Sequence, residues 1–175
     1  MFLRPIGLSL ALLLTTAPVF AQTAPAPPAV TPTEPRETIE GTLSNERTVI
    51  AIPSLATSSV QTVAGLRTDS LGRQIAEVIA ADLERSGLYE PVGPGGVRAI
   101  TRAEVQAPRF ADWQARNAEN VVHGFVDAGS NGSLIVGCYL YDTALGSELV
   151  RKGFEIQPGD WRRAAHKCAD AIYSR

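Results

Sequence analysis

The chain has few of the residues from which metal and catalytic sites are built. Among its 175 residues are two histidines and two cysteines, and no histidine or cysteine stands at metal-ligand spacing from another. Neither the phosphate-binding pattern Gly-x-x-x-x-Gly-Lys nor the hydrolase pattern Gly-x-Ser-x-Gly occurs. These absences argue against a metal site, a cradled phosphate and a nucleophile elbow, and the search yields no cofactor-binding residue.

An excess of charge of either sign is also lacking. Lys and Arg number 16 and Asp and Glu 18, so the formal net charge is −2. No basic run exceeds two residues, as at Arg162-Arg163, so no basic face is present to displace counterions from phosphates. We therefore expect no nucleic-acid partner.

Residues 1–21 have the three parts of a secretory signal peptide. Arg4 supplies a positive charge, residues 6–20 are almost wholly apolar, and the sequence Val-Phe-Ala suits cleavage after Ala21. A membrane anchor is the alternative, but a run of about 15 residues containing Pro18 is too short to span hydrocarbon. No other stretch is apolar enough to cross a bilayer, so we predict an exported mature chain without a membrane span.

Residues 22–37 are rich in proline and alanine. Seven of the 12 prolines of the chain fall within its first 35 positions. Such a segment favours extended polyproline-like conformations and cannot build a packed core. We interpret it as a linker, with a tether that presents the mature amino terminus to a partner as the alternative, and place one folded domain at residues 38–175.

The clearest helix signal lies at residues 71–86. Apolar residues recur there at spacings of three and four, which puts them on one face of a helix. Thr68, Asp69 and Ser70 are all suitable N-caps, and Gly87 stands where a left-handed C-cap residue is expected. A second helix is predicted over residues 161–173, capped by Asp160, and a short one over residues 109–116.

Short β-branched and apolar runs predict strands at residues 48–52, 88–92, 121–126, 134–141 and 148–156. Pro91 confines the second of these to a sheet edge or places the proline at the end of the strand. Asn131-Gly132 between two apolar runs is a strong hairpin signal. Residues 38–43 alternate weakly and suggest a further edge strand, whereas residues 55–67 read as a loop. The pattern predicts an α/β (α+β) fold, with a mixed β-sheet of about five strands packed against two main α-helices.

The two histidines offer weak catalytic prospects. His123 lies in an apolar strand and is most simply a core or rim residue, and His166 lies on a helix beside basic residues and is expected to be solvated. A Ser/His/Asp site that uses His123 and Asp127 can be imagined, but nothing in the sequence supports its geometry.

The two cysteines concern structure. Cys138 lies on a predicted strand and Cys168 on the last predicted helix. An exported protein meets an oxidising compartment, where a Cys138–Cys168 disulfide is chemically allowed. Even pairs also arise by chance, so we favour two buried free thiols that behave as small apolar residues.

Several segments, in continuous order from residue 38 to 175, resemble the amino-terminal domain of the TolB family. They are IAADLERSGLYEPV at 79–92, FADW at 110–113, VVHG at 121–124, LYD at 140–142 and AAHKCADAIY at 164–173. The resemblance implies a non-enzymatic periplasmic protein of the Tol-Pal envelope system. Such proteins support outer-membrane integrity, cell division and colicin import.

The resemblance also implies partners. In the family the amino-terminal region contacts the inner-membrane protein TolA, and a carboxy-terminal β-propeller contacts the lipoprotein Pal. No propeller follows residue 175, so we expect no Pal contact, and the chain is either a truncated family member or a stand-alone domain. The alternative function is a stand-alone periplasmic ligand-binding or outer-membrane-assembly domain of similar fold.

The segment corresponding to the TolA-binding region follows the proline-rich linker and could add a strand to a partner sheet. Its residues are Thr38, Ile39, Glu40, Gly41, Thr42 and Leu43.

Overall fold

The computed structural model describes residues 46–175. Its strands are β1 Thr48–Ala51, β2 Thr62–Val63, β3 Leu66–Arg67, β4 Tyr89–Val92, β5 Asn120–Ala128, β6 Leu134–Asp142 and β7 Ser147–Ile156. Its α-helices are α1 Thr68–Arg85, α2 Phe110–Gln114 and α3 Trp161–Tyr173, with single 3-10 turns at Ala103–Val105 and Pro158–Asp160. The predicted signal peptide (1–21), the linker (22–37) and the edge strand at 38–43 lie outside the described residues.

Five strands form one mixed sheet in the order β4-β1-β5-β6-β7. β1 pairs in parallel with both β4 and β5, whereas β5, β6 and β7 form an antiparallel meander. The β5–β6 hairpin closes through the predicted Asn-Gly turn, where Gly132 has a φ of 71°. Pro91 lies in β4, which is an edge strand as predicted.

One face of the sheet packs against α1 and α3. Alternate strand residues such as Ile50, Val122 and Leu140 point to this face and are fully or almost fully buried. They meet the apolar stripes of the helices, represented by Ile75 of α1 and Ala165 of α3. The predicted fold class, a mixed sheet of about five strands against two main helices, is therefore confirmed.

The opposite face is covered over β1, β5 and part of β6 by the segment that contains α2. Trp113 of α2, together with Ile100 and Val105 before it, packs onto Val121 and Tyr141 of the sheet. Because the central strand β5 is buried on both faces, its segment 121–126 has a single polar side chain, His123, and does not alternate.

Two local predictions were wrong. Within the predicted loop 55–67, Thr62–Val63 and Leu66–Arg67 pair as a two-stranded ribbon. α1 begins at Thr68 after Arg67, without a side-chain cap, because the Thr68 hydroxyl oxygen instead accepts the Gln61 N–H at 3.1 Å. Asp160 occupies the N-cap position of α3 as predicted, although its side chain makes no capping hydrogen bond. The predicted C-cap is present, since Gly87 follows α1 with a φ of 76°.

Cys138 of β6 and Cys168 of α3 form a disulfide, which contradicts the preference for two free thiols. Their Cα atoms are 6.2 Å apart, within the range that a bridge requires. Spacing alone could not show this, because the contact depends on how α3 crosses the sheet. The bridge joins the last helix to the strand beside β7.

Within residues 46–175, no helix combines the length and the apolar character needed to cross a membrane.

Loss of the disulfide should lower stability. The bridge closes a loop across a sequence separation of 30, which corresponds to about 3.6 kcal/mol of free energy of unfolding. We expect the double variant Cys138→Ala, Cys168→Ala to lose about this much in urea unfolding. Reduced wild type should match the variant, and the variant should be insensitive to reductant. A wild type whose midpoint does not respond to reduction would contradict the prediction.

Gly72 of α1 should not tolerate alanine. A Cβ there would collide with the carbonyl oxygen of Leu55, whose N–H also donates to the Gly72 carbonyl at 3.1 Å. Alanine inside a helix normally raises the free energy of unfolding by about 1 kcal/mol relative to glycine. Here we expect the free energy of unfolding to fall by about 2 kcal/mol. The matched control is Gly159→Ala, whose methyl group meets nothing within 4 Å. Stabilisation by Gly72→Ala in thermal or urea unfolding would refute the close contact.

Candidate functional site

The predicted partner segment, Thr38 to Leu43, lies outside the described residues. The described chain begins a few positions later, at Glu46, where it enters β1. Glu46 and Thr48 line a cleft of about 420 Å³ at this end of the sheet. Its other lining residues come from the end of α1, the start of β4 and the end of α3: Gly87, Leu88, Tyr89, Tyr173 and Arg175.

Two large side chains are exposed beside this cleft. Leu88 and Tyr173 are each 54% exposed. The turn after α1 projects Leu88 outward, because the left-handed Gly87 reverses the chain and the Leu88 N–H donates to the Ser86 hydroxyl at 3.2 Å. Exposed apolar side chains with charged neighbours are typical of protein contact surfaces. We call Leu88, Tyr173, Glu46 and Arg175 the amino-terminal patch.

His123 is the most deeply buried ionisable residue of the second sheet face. Its side chain has no solvent exposure, and its ring lies 5.7 Å from that of Trp113 and 6.0 Å from that of Tyr141. Nδ1 lies 2.9 Å from the carbonyl oxygen of Glu104 and therefore carries the hydrogen, since a carbonyl only accepts. Burial lowers the pKa of His123 to about 4, so the imidazole is neutral at physiological pH.

An ion-pair network joins residues of the covering segment to one another. Arg98 donates to Glu104 at 2.9 Å and to Asp112 at 2.8 Å, and Arg109 donates to Glu104 at 2.8 Å. The hydrogen bonds from Arg98 and from the Thr101 N–H lower the pKa of Glu104 to about 2. Since the Glu104 carbonyl also accepts from His123, this network fixes the histidine and the segment together.

Asp127 belongs to a different cluster from His123. Its carboxylate accepts the Ser58 N–H at 2.6 Å, the Ser58 hydroxyl at 3.0 Å and Arg102 Nε at 3.1 Å. Four residues along an extended strand separate it from His123 by about 13 Å. The imagined Ser/His/Asp site is therefore not assembled, because His123 is sealed from solvent and Asp127 ties two loops to β5.

His166 lies on the exposed side of α3, as predicted, and its Nδ1 contacts the Asp82 carboxylate of α1. This contact joins the two main helices at the surface. No group of three or more His, Cys, Asp or Glu residues within 46–175 could hold a metal ion.

The patch and the network were not found by sequence reasoning. Arg98, Glu104 and Asp112 are spread over a segment without periodicity, and their meeting depends on the path of the chain across the sheet. Leu88 had a partial signal, since it follows a predicted C-cap glycine directly. Tyr173 had none, because it occupies the helix position expected of a core residue.

Comparison with known proteins identifies the family of the chain. The family model of the TolB amino-terminal domain matches residues 38–149. The Tol-Pal system protein TolB of Sphingopyxis alaskensis is 85% identical over 175 residues, which are 100% of this chain and 38% of that relative. Its counterpart in Zymomonas mobilis is 50% identical over 127 residues, covering 72% of this chain and 28% of that relative.

Among solved structures, TolB from Acinetobacter baumannii aligns with a TM-score of 0.55 and 22% identity, covering 74% of this chain and 28% of that chain. This likeness supports the fold. The chain belongs to the TolB amino-terminal domain family, and it spans well under half the length of the relatives it matches.

Acid should destabilise the domain through His123. The pKa of the folded state, about 4, lies below the ordinary value of 6.5, so protons bind the unfolded chain first as the pH falls. Stability is therefore full above pH 6.5 and declines below it, by about 2 kcal/mol between pH 7 and pH 5. In urea unfolding, His123→Gln should be less stable at pH 7 yet lack this decline. His166→Gln is the matched control and should retain it; equal pH dependence in both variants would contradict the assignment.

Proposed function

We propose that the chain is a non-enzymatic component of the Tol-Pal system that acts by binding partner proteins in the periplasm. The observation that carries the proposal is the family match over residues 38–149, together with a relative of 85% identity named Tol-Pal system protein TolB. In this role it helps maintain outer-membrane integrity and supports cell division and colicin import. Its signal peptide, residues 1–21, directs export.

The amino-terminal segment is the proposed contact with a TolA-like inner-membrane protein. Residues 38–43 alternate weakly in polarity and can pair as an extended strand with a partner sheet. They lead into the amino-terminal patch, where Leu88 and Tyr173 offer apolar surface next to the charged Glu46 and Arg175. A strand that pairs with the partner while the patch contacts its flank would bury both kinds of surface.

The disulfide agrees with this location. Bridges persist in oxidising compartments such as the periplasm and are rare in the cytosol. The Cys138–Cys168 bridge is buried, with both residues almost fully shielded, which protects it from thiol exchange. This supports the proposed site of action from an observation independent of the family match.

Deleting residues 38–43 should weaken binding to the periplasmic domain of TolA from the same organism. We expect an affinity at least about tenfold weaker by calorimetry, because the strand's backbone hydrogen bonds are lost. The control replaces residues 22–37 by a Gly/Ser linker of equal length, which should leave the affinity unchanged. Undiminished binding by the deletion variant would refute the assignment of residues 38–43.

Leu88→Ser and Tyr173→Ser test the patch separately. If the patch supports the contact, each should weaken TolA binding by a few-fold without changing the thermal midpoint, since both side chains are exposed. Val60→Ser is the matched control, because Val60 is 55% exposed and follows Ala56, which pairs with Phe125 in the second half of β5, whereas β1 beside the patch pairs with the start of β5.

A further inference from the structure

A groove runs between the edge strand β7 and helix α3. It has a volume of about 480 Å³. Its floor comes from the end of β7 and its wall from α3. The lining residues are Ser133, Phe154, Glu155, Ile156, Gln157, Asp160, Arg163, Ala164 and Lys167.

The strand beside the groove has one free edge. β7 is the last strand of the sheet, and its ten residues pair with β6 on one side only. No strand among the described residues pairs with its outer side. A long free edge presents a row of backbone N–H and C=O groups, which can accept an added strand.

The groove has an apolar floor. Phe154 and Ile156 lie opposite Val136 and Leu134 of β6, so they face α3 and not the second sheet face. Both are only partly buried, although they pack against the main core. Ala164 of α3 lines the same space and leaves room above them.

The wall of the groove is cationic. Arg163 and Lys167 stand one turn apart on α3, and neither takes part in an ion pair within residues 46–175. Lys167 Nζ lies 5.7 Å from the centre of the Phe154 ring. On the acidic side, the Glu155 carboxylate already accepts the Ser133 hydroxyl at 2.9 Å, and Asp160 lies at the mouth. The lining thus holds two cations and two carboxylates, and the two cations stand together on the helix wall, so a carboxylate placed against that wall would face both of them.

The disulfide between α3 and β6 keeps the groove in shape. The disulfide ties α3 to β6 at Cys168, the residue after Lys167, and Cys138 lies opposite Lys152 of β7. The helix wall therefore cannot swing away from the strand floor without breaking the bridge. A binding site that is already formed loses less entropy when it is occupied.

We propose that this groove binds an extended segment of a partner protein, which adds as a strand to β7. Alternate side chains of the segment enter the groove, with apolar groups on Phe154 and Ile156 and a carboxylate facing Arg163 and Lys167. The proposal does not rest on the role proposed for residues 38–43.

The probe is a fluorescein-labelled peptide, Thr-Val-Thr-Glu-Thr-Val-Thr, titrated with the full chain by fluorescence polarisation. One companion peptide carries Lys in place of Glu, and another is N-methylated at alternate residues so that it cannot pair as a strand. We expect the Glu peptide to bind at least about tenfold more tightly than either companion. Chemical-shift changes in ¹⁵N-labelled protein should map to β7 and α3.

The protein variants reverse the charge of the wall. Arg163→Glu combined with Lys167→Glu should invert the preference, so that the Lys peptide binds more tightly than the Glu peptide. Arg162→Glu is the matched control, because Arg162 lies over the Trp161 ring outside the groove and should not alter the preference.

Three outcomes would overturn the proposal. They are equal binding of the Glu and Lys peptides, binding that survives N-methylation, and no binding of the Glu peptide at about 1 mM. The last result would mean that the charged residues of β7 exclude added strands, as charges on many edge strands do.

Discussion

The burial of β5 on both faces is the constraint on which the rest of the domain depends. β5 pairs in parallel with β1 and antiparallel with β6, so it joins the two halves of the sheet. Val122 and Val126 require α1 and α3 on one side, and Val121 and His123 require the α2 segment on the other. Each layer of the domain shields one face of this strand from water.

The polar groups of the second face follow from the same constraint. A buried imidazole needs a hydrogen-bond partner, which the Glu104 carbonyl supplies. Tyr141 donates its hydroxyl to the Val105 carbonyl at 2.9 Å in the same way. The covering segment is therefore held by apolar packing and by its own carbonyl groups, which accept hydrogen bonds from the buried side chains. Arg98 neutralises the Glu104 carboxylate of this segment.

Much of the fold was predictable because its signals are local. The predicted bounds of helix α3 agree with the observed ones, and Asn131-Gly132 predicted the β5–β6 turn. The β2–β3 ribbon was missed because its strands have two residues each and its turn places Ala64 at a φ of 49°, a position where sequence rules expect glycine or asparagine. The sequence offered Thr68, Asp69 and Ser70 as N-caps of α1 without distinguishing among them. In the structure α1 begins at Thr68, whose hydroxyl accepts a hydrogen bond from the Gln61 N–H.

The surfaces were much less predictable than the core. The groove depends on where α3 lies against an edge strand, and the amino-terminal patch on the meeting of three chain segments that are far apart in sequence. The apolar periodicity of a helix shows which of its residues are buried, but not which elements lie next to its exposed side. The preference for two free thiols was wrong for the same reason.

The position of β1 has a consequence for how the domain can assemble. Both strands that pair with β1 come later in the chain, and β5 begins at Asn120, about seventy residues after β1 ends. The first strand of the sheet therefore cannot be enclosed on both edges until β5, from the second half of the described chain, has joined it.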